Sequence, residues 1–122
     1  MKLTVRTDGF EGWVKRSRET AKKLDRGERI EPSFGFTFDS PMEMFEVLTA
    51  QRVRLVELAR TKPYSIAALA RELGRDPKSV RRDVAKLEEH RLVRTREQVN
   101  PGHGRVKIVE PVAKSFELKT TF

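Results

Sequence analysis

An α+β fold is what the sequence predicts, and three observations predict it. Over Lys2–Arg6, Leu3 and Val5 alternate with polar neighbours, the period of a strand. Between Ser40 and Leu87 apolar residues recur at helical spacing, interrupted by capping residues. Beyond Leu92, alternating stretches on either side of Asn100-Pro101-Gly102-His103-Gly104 read as a hairpin around a turn-rich loop. Helices gathered in the middle and strands towards the ends mark α+β organisation.

The helices centre on Ser65–Leu92. Ser65 is placed to cap a helix whose apolar face is Ile66, Leu69, Ala70 and Leu73. Gly74 ends it, because glycine takes a positive φ at little steric cost. Asp76 then caps a second helix with Pro77 at its first position, where the missing N–H costs nothing. Val80, Val84 and Leu87 give this helix its buried stripe. Lys78, Arg82 and Lys86 fall roughly opposite that stripe, with Ser79 and Arg81 on its flanks. Two short helices, a tight turn and a basic outer face make a helix-turn-helix whose second helix suits the major groove.

The other elements follow in order. After a turn at Asp8-Gly9, Phe10, Trp13, Val14 and Leu24, with Ser17 and Ala21, line one face of a helix that Gly27 closes. Its other side is Lys15, Arg16, Arg18, Glu19, Lys22 and Lys23, either a solvated face or a secondary contact with phosphates. Phe34, Phe36 and Phe38 alternate with Gly35 and Thr37, and Pro32 keeps the preceding residues out of a central strand. This stretch is an edge strand or an extended arm. Burying each ring is worth about 1.5–3 kcal/mol, so the three belong to a core or an interface.

Ser40, Pro41 and Glu43 form a capping-box start for a helix running to Leu48. Thr49 caps the next, which offers Val53, Val56, Leu58 and Ala59 to the core before Pro63. His90-Arg91-Leu92-Val93 turns into a strand carrying Arg94, Thr95, Arg96 and Val99; Arg105, Val106, Lys107 and Ile108 return. That hairpin is a wing, with His103 and Arg105 at its tip and Arg96 and Lys107 further down. Pro111 ends it, and Phe116, Leu118, Thr120 and Phe122 resume a period of two. Each terminal strand is too short to stand alone. They are expected to pair, within the chain or across a dimer axis; the second arrangement is favoured because it hides rings and strand edges.

Composition narrows the function. Lys and Arg number 26 against 18 acidic residues, a net charge of +8 and a partner class of acidic polymers. With no Cys, thiolate metal sites, thiol nucleophiles and disulfides are excluded. His90 and His103 are the only imidazoles, too few for a metal site, and no nucleophile sits beside an acidic pair, so no catalytic or cofactor-binding residues are assigned and no enzyme is expected. No apolar run approaches the ~18 residues of a membrane span and no signal-peptide pattern opens the chain, so a cytoplasmic location is expected.

Phe38-Asp-Ser-Pro-Met-Glu43, Leu48-Thr-Ala-Gln-Arg52, Leu69-Ala-Arg-Glu-Leu-Gly-Arg-Asp76, Val80-Arg-Arg-Asp-Val84 and Leu87 resemble a family of predicted winged helix-turn-helix DNA-binding regulators of archaea and bacteria, MarR-like, over almost the whole chain. The resemblance implies a transcriptional regulator. Because some members are encoded beside small toxins, it also implies a possible antitoxin that represses its own operon and a cognate toxin as partner. The family ends this helix in Glu-x-x-Gly-Leu; here Glu88-Glu-His90-Arg-Leu92 stands there, and His90 is expected to occupy the corner in place of glycine.

The expected organisation is an amino-terminal strand, helix and Phe-rich segment over 1–38, a winged helix-turn-helix over 39–111, and a carboxy-terminal strand over 112–122 that serves dimerisation. Arg82 is the first candidate for base contact, through bidentate donation to guanine, with Ser79 and Lys78 beside it. Arg81, Lys86, Arg96, His103, Arg105 and Lys107 are candidates for the backbone or the wing; Lys78 also suits a phosphate. Asp83 would be repelled by phosphates and is expected to pair with Arg71 or Arg75. A homodimer on a palindromic duplex operator follows from one recognition helix per chain. The alternative is a winged-helix protein-interaction module, in which the outward arginines do nothing.

Overall fold

The elements are β1 (Lys2–Arg6), α1 (Gly9–Asp25), β2 (Phe34–Thr37), α2 (Pro41–Val47), α3 (Ala50–Ala59), β3 (Tyr64–Ser65), α4 (Ile66–Leu73), α5 (Pro77–Glu89), β4 (Val93–Asn100), β5 (Gly104–Pro111) and β6 (Ser115–Leu118). They come from a computed structural model that describes residues 1–30, 34–102 and 104–122. The expectations placed on Pro32 and His103 lie outside the described residues. The architecture is the α+β winged helix-turn-helix with an amino-terminal strand–helix arm and a carboxy-terminal strand. Its elements fall into two units, Met1–Glu46 with Ser115–Phe122, and Val47–Lys114.

The first unit is built on a parallel sheet of order β2-β1-β6. Leu3 and Val5 pair with Phe34 and Phe36 on one side and with Phe116 and Leu118 on the other, so one sheet face is apolar. Thr4 pairs with Gly35 and Glu117 on the opposite, polar face. Gly35 is needed where it stands: a Cβ there would come within 2.5 Å of the Thr4 carbonyl oxygen. The three phenylalanines separate by depth. Phe38 is buried, Phe36 half-buried and Phe34 53% exposed, and the Phe36 and Phe38 rings meet edge-on at 4.8 Å.

The terminal strands pair within the chain, which corrects the expected pairing across a dimer axis. The Lys119 amide donates to the Val5 carbonyl at 2.8 Å, the Thr7 and Thr120 hydroxyls meet at 2.8 Å, and Lys2 pairs with Glu117 at 3.3 Å. Central β1 thereby has both edges satisfied by its own chain. The last strand stops at Leu118, short of the period-two run through Phe122. Helix α1 buries only Gly9. At its start the Thr37 hydroxyl accepts from the Gly9 amide at 2.8 Å and donates to Asp8 at 3.0 Å, while Arg16 pairs with Asp8. Burial raises the Asp8 pKa, but the Thr37 hydrogen bond and the Arg16 charge outweigh it and leave the carboxyl below its ordinary value.

Capping explains the helix starts. Ser40 Oγ accepts from the Glu43 amide at 3.2 Å, and Glu43 reaches back to the Asp39 amide at 3.1 Å, one residue before the donor that a standard capping box uses. Helix α2 ends at Val47 rather than Leu48, since Thr49 is already extended and caps α3 by accepting from the Arg52 amide at 3.3 Å.

In the second unit α3, α4 and α5 contact one another, and the antiparallel sheet β3-β5-β4 completes it. Leu55, Val56, Ala59, Ile66, Leu69, Ala70, Val80, Val84, Leu87, Leu92, Val93, Ile108 and Val109 form its core. Leu55 is fully buried while the predicted Val53 and Leu58 are only half-buried, so α3 is rotated from its expected phase. Pro111 closes β5 as its last residue, opposite Val93.

Candidate nucleic-acid interface

The turn between α4 and α5 sets the aim of α5. Ser65 Oγ accepts from the Ala68 amide at 3.1 Å, and Gly74 ends α4 with φ 63°, in the left-handed region where glycine is favoured. Asp76 Oδ1 accepts from the Lys78 amide at 2.8 Å and Pro77 occupies the first turn. Asp83 lies among Val80, Val84 and Leu87 on the buried face of α5, and two cations close on it. Arg52 Nε donates to Oδ1 at 3.0 Å, and Arg75 Nη1 faces Oδ2 at 2.7 Å as an ion pair. Arg52 also donates to the Val47 carbonyl at 3.0 Å. Arg75 was an expected partner of Asp83; Arg71 is exposed and is not one, and Arg52 was missed. One carboxylate thus ties α3, the turn and α5 together. Breaking such a buried pair is costly because it strands the remaining charges.

The far end of α5 corrects the expected corner. His90 has φ −91°, an ordinary conformation, whereas Arg91 takes φ 59°. The Leu92 amide bonds to the Leu87 carbonyl and the Arg91 amide to that of Glu88, both at 2.9 Å, a Schellman closure with Arg91 at the left-handed position. Arg91 therefore stands where Glu-x-x-Gly-Leu has its glycine; His90 is one residue early. Glu88 of the same run accepts from the Thr95 amide at 2.8 Å and its hydroxyl at 2.7 Å, fastening β4 to the end of α5.

At about 100° per residue, Lys78, Arg82 and Ala85 lie opposite the buried stripe, with Arg81 on one flank and Ser79 and Lys86 on the other. Lys78, Arg81 and Arg82 are exposed, and among the described residues none has an ion-pair partner. Ser79 is half-buried. Lys86 leans towards Glu89 at 3.6 Å, so the cationic surface fades over the last turn. Ala85 is a further surface position that a search for polar groups passes over; its methyl is suited to an apolar base edge.

The wing places its predicted cations on two faces. Arg96 shares a face with Arg94 and Glu110, whereas Arg105 and Lys107 share the other with Glu97, as the antiparallel register dictates. Arg96 pairs with Glu110 at 2.6 Å and donates to Gln98 at 3.0 Å, and Arg94 reaches Glu110 at 3.4 Å. The Arg96 hydrogen bond, with Arg94 adding to it, holds the Glu110 carboxyl below its ordinary value. Arg105 pairs with Glu97 at 3.2 Å. Lys107 is exposed and has no ion-pair partner among the described residues. Among the described residues five candidates remain free or nearly so on one helix and one wing face; Arg96 is held by Glu110 on the other wing face.

Among the described residues no three His, Asp or Glu side chains come together as a metal site, and no helix is long and apolar enough to cross a membrane.

Comparison with known proteins agrees with this geometry. The profile of the HVO_A0114 family matches residues 47–112, more than half of the chain. No curated protein matches it. Among solved structures, the chain is similar to one described as "Possible transcriptional regulator from Methanosarcina mazei Go1", with 24% identity and a TM-score of 0.51, covering 58% of this chain and 63% of that one. It is also similar to Rv0081 of M. tuberculosis, with 22% identity and a TM-score of 0.50 over 59% of this chain and 69% of that one. The chain thus spans under two thirds of the length of the first of these, and both likenesses concern the fold.

Proposed function

The chain belongs to the HVO_A0114 family, and from that premise we propose that it is a sequence-specific transcriptional regulator that binds duplex DNA as a homodimer on a palindromic operator. One observation carries this proposal: Lys78, Arg81 and Arg82 stand exposed and without ion-pair partners among the described residues, on the outer face of a helix that Asp83 ties at its middle to α3 and the preceding turn, and Glu88 ties near its end to β4. Arg82 reads a base, Ser79 and Lys78 meet base edges or phosphates beside it, and Arg81, Lys86, Arg105 and Lys107 hold the backbone. Arg96 joins them only after release from Glu110.

Autorepression is the simplest regulatory arrangement for such a protein. An antitoxin role extends it on the strength of the resemblance alone, and co-purification with the product of the neighbouring gene tests that extension. The main proposal is tested by gel shift on the DNA upstream of the chain's own gene. Affinity should fall with salt at a log–log slope of about −0.9 per phosphate neutralised. Binding that does not exceed that of a random duplex would return the chain to the class of protein-interaction modules.

A further inference from the structure

We propose that α1 is the self-association surface of this protein, two copies pairing antiparallel through Phe10, Trp13, Val14, Ala21 and Leu24 with Ser17 at the two-fold axis. This deepens the dimeric reading above and rests on it. Helix α1 is 17 residues long yet contributes only Gly9 to the buried residues. Phe10 is 71% exposed, Trp13 54% and Leu24 61%, and the Phe10 and Trp13 rings stack on each other at 5.7 Å. The reason lies in the sheet. The unit's own parallel sheet turns Leu3 and Val5 to its apolar face, while Thr4, Phe34 and Phe36 line an open cleft with Trp13, Ser17 and Thr20 of α1. Phe10, Trp13 and Leu24 are thus left largely exposed among the described residues, with that cleft open beside them.

The stripe specifies its occupant through its own symmetry. Phe10 and Leu24 stand equally far from Ser17 on its two sides, as do Trp13 and Ala21, and Val14 and Thr20. Large side chains occupy the first half of the helix and small ones follow Ser17. Two helices laid antiparallel about Ser17 set Trp13 beside the partner's Thr20, Val14 beside the partner's Ala21, and Phe10 beside the partner's Leu24, each large group against a smaller one. Spacing over 10, 13, 17 and 24 follows the 3-and-4 alternation by which paired helices keep one seam in register.

Charge agrees on one flank, where Glu11 comes level with the partner's Lys22. Arg18 meets its own counterpart, exposed and screened by solvent; Arg16 is already neutralised by Asp8. The helix is about 25 Å long. The four rings of the two copies, each worth roughly 150–250 Å² when fully buried, bring the contact with Val14 and Leu24 towards the ~1,000 Å² at which specific interfaces begin. Such an interface is apolar on either side of Ser17 and carries few ion pairs, so association should survive salt that dissolves a DNA complex.

The chain has no cysteine, so Ser17→Cys supplies a single thiol. Oxidised in the intact protein at micromolar concentration, it should form a covalent dimer within minutes, while Lys15→Cys, on the outer side of α1, should not. Phe10→Glu should give a monomer by light scattering, and adding Leu24→Lys should restore part of the dimer, because only the antiparallel register sets those two positions against each other. Both side chains are exposed in the single chain, and circular dichroism checks that the fold persists. A monomeric wild-type protein, or a dimer indifferent to Phe10→Glu whose Ser17→Cys variant does not cross-link, overturns the proposal. So does a monomer that binds anionic phospholipid vesicles through these residues, which would assign the stripe to a membrane surface. Cross-linking at position 17 in a protein that binds no DNA would leave the α1 pairing standing and sink the regulator instead.

Discussion

Asp83 carries more of the second unit than any other polar residue. It lies buried among apolar side chains, with Arg52 on one oxygen and Arg75 on the other. Asp83→Asn keeps the shape and removes the charge, leaving two half-buried guanidinium groups unneutralised. A loss of about 3–5 kcal/mol is expected in urea unfolding, with no protein–DNA contact directly removed. Arg91 makes the opposite case. A non-glycine residue at φ 59° costs energy that glycine avoids, so Arg91→Gly should stabilise the protein by about 0.5–1 kcal/mol in the same assay. An unchanged midpoint would mean that the side chain offsets the strain. Glu110 offers a functional contrast. Its lowered pKa keeps it ionised at neutral pH, so its pairing with Arg96 is fully present above the carboxyl's unfolded pKa and is lost only as pH falls through the lower folded value. Glu110→Gln should free Arg94 and Arg96 and tighten DNA binding severalfold at neutral pH by gel shift; weaker binding would assign Glu110 a role in shaping the wing.

Single elements were legible where a side chain announces a boundary. Ser40, Thr49, Ser65 and Asp76 cap the helices expected of them, and Gly74 takes the expected left-handed turn. The phase of α3 was not legible, because Arg52 lies in line with the buried Leu55, Val56 and Ala59 and a stripe read from apolar residues alone excludes a charge. The signal existed on the other side: Asp83, in the buried row of α5, requires a cation. Strand β3 has two residues, too few to show a period. Pairing partners were the least legible, since a period of two says that Leu3 and Phe116 lie in strands and nothing of whether one chain supplies both. Gly35 gives the element-scale prediction. Gly35→Ala would drive a Cβ into the Thr4 carbonyl and prise β2 from β1. Hydrogen exchange should show lost protection in β1 and β2 while α3, α4 and α5 keep theirs. Uniform loss across both units would contradict their separate packing.

At the scale of the whole molecule, a net charge of +8 is compatible with many basic proteins, and the structure matters because it sorts that charge. Glu97, Glu110, Asp83 and Asp8 neutralise cations that composition counts as available. On α5 and the wing, what remains among the described residues is a short cationic face on the helix and Lys107 on the hairpin. The site was legible as a helix and a hairpin; its division into paired and unpaired cations was not, because carboxylate partners lie on neighbouring strands that only the register aligns. The most direct test is to titrate wild type, Arg82→Ala and Lys107→Ala against the upstream DNA and against a random duplex over a salt series. Arg82→Ala should lose about 1–3 kcal/mol on the specific site and little on random DNA, while Lys107→Ala should weaken both alike and flatten the salt slope by about 0.9. Equal effects of the two substitutions on both duplexes would contradict base reading by α5.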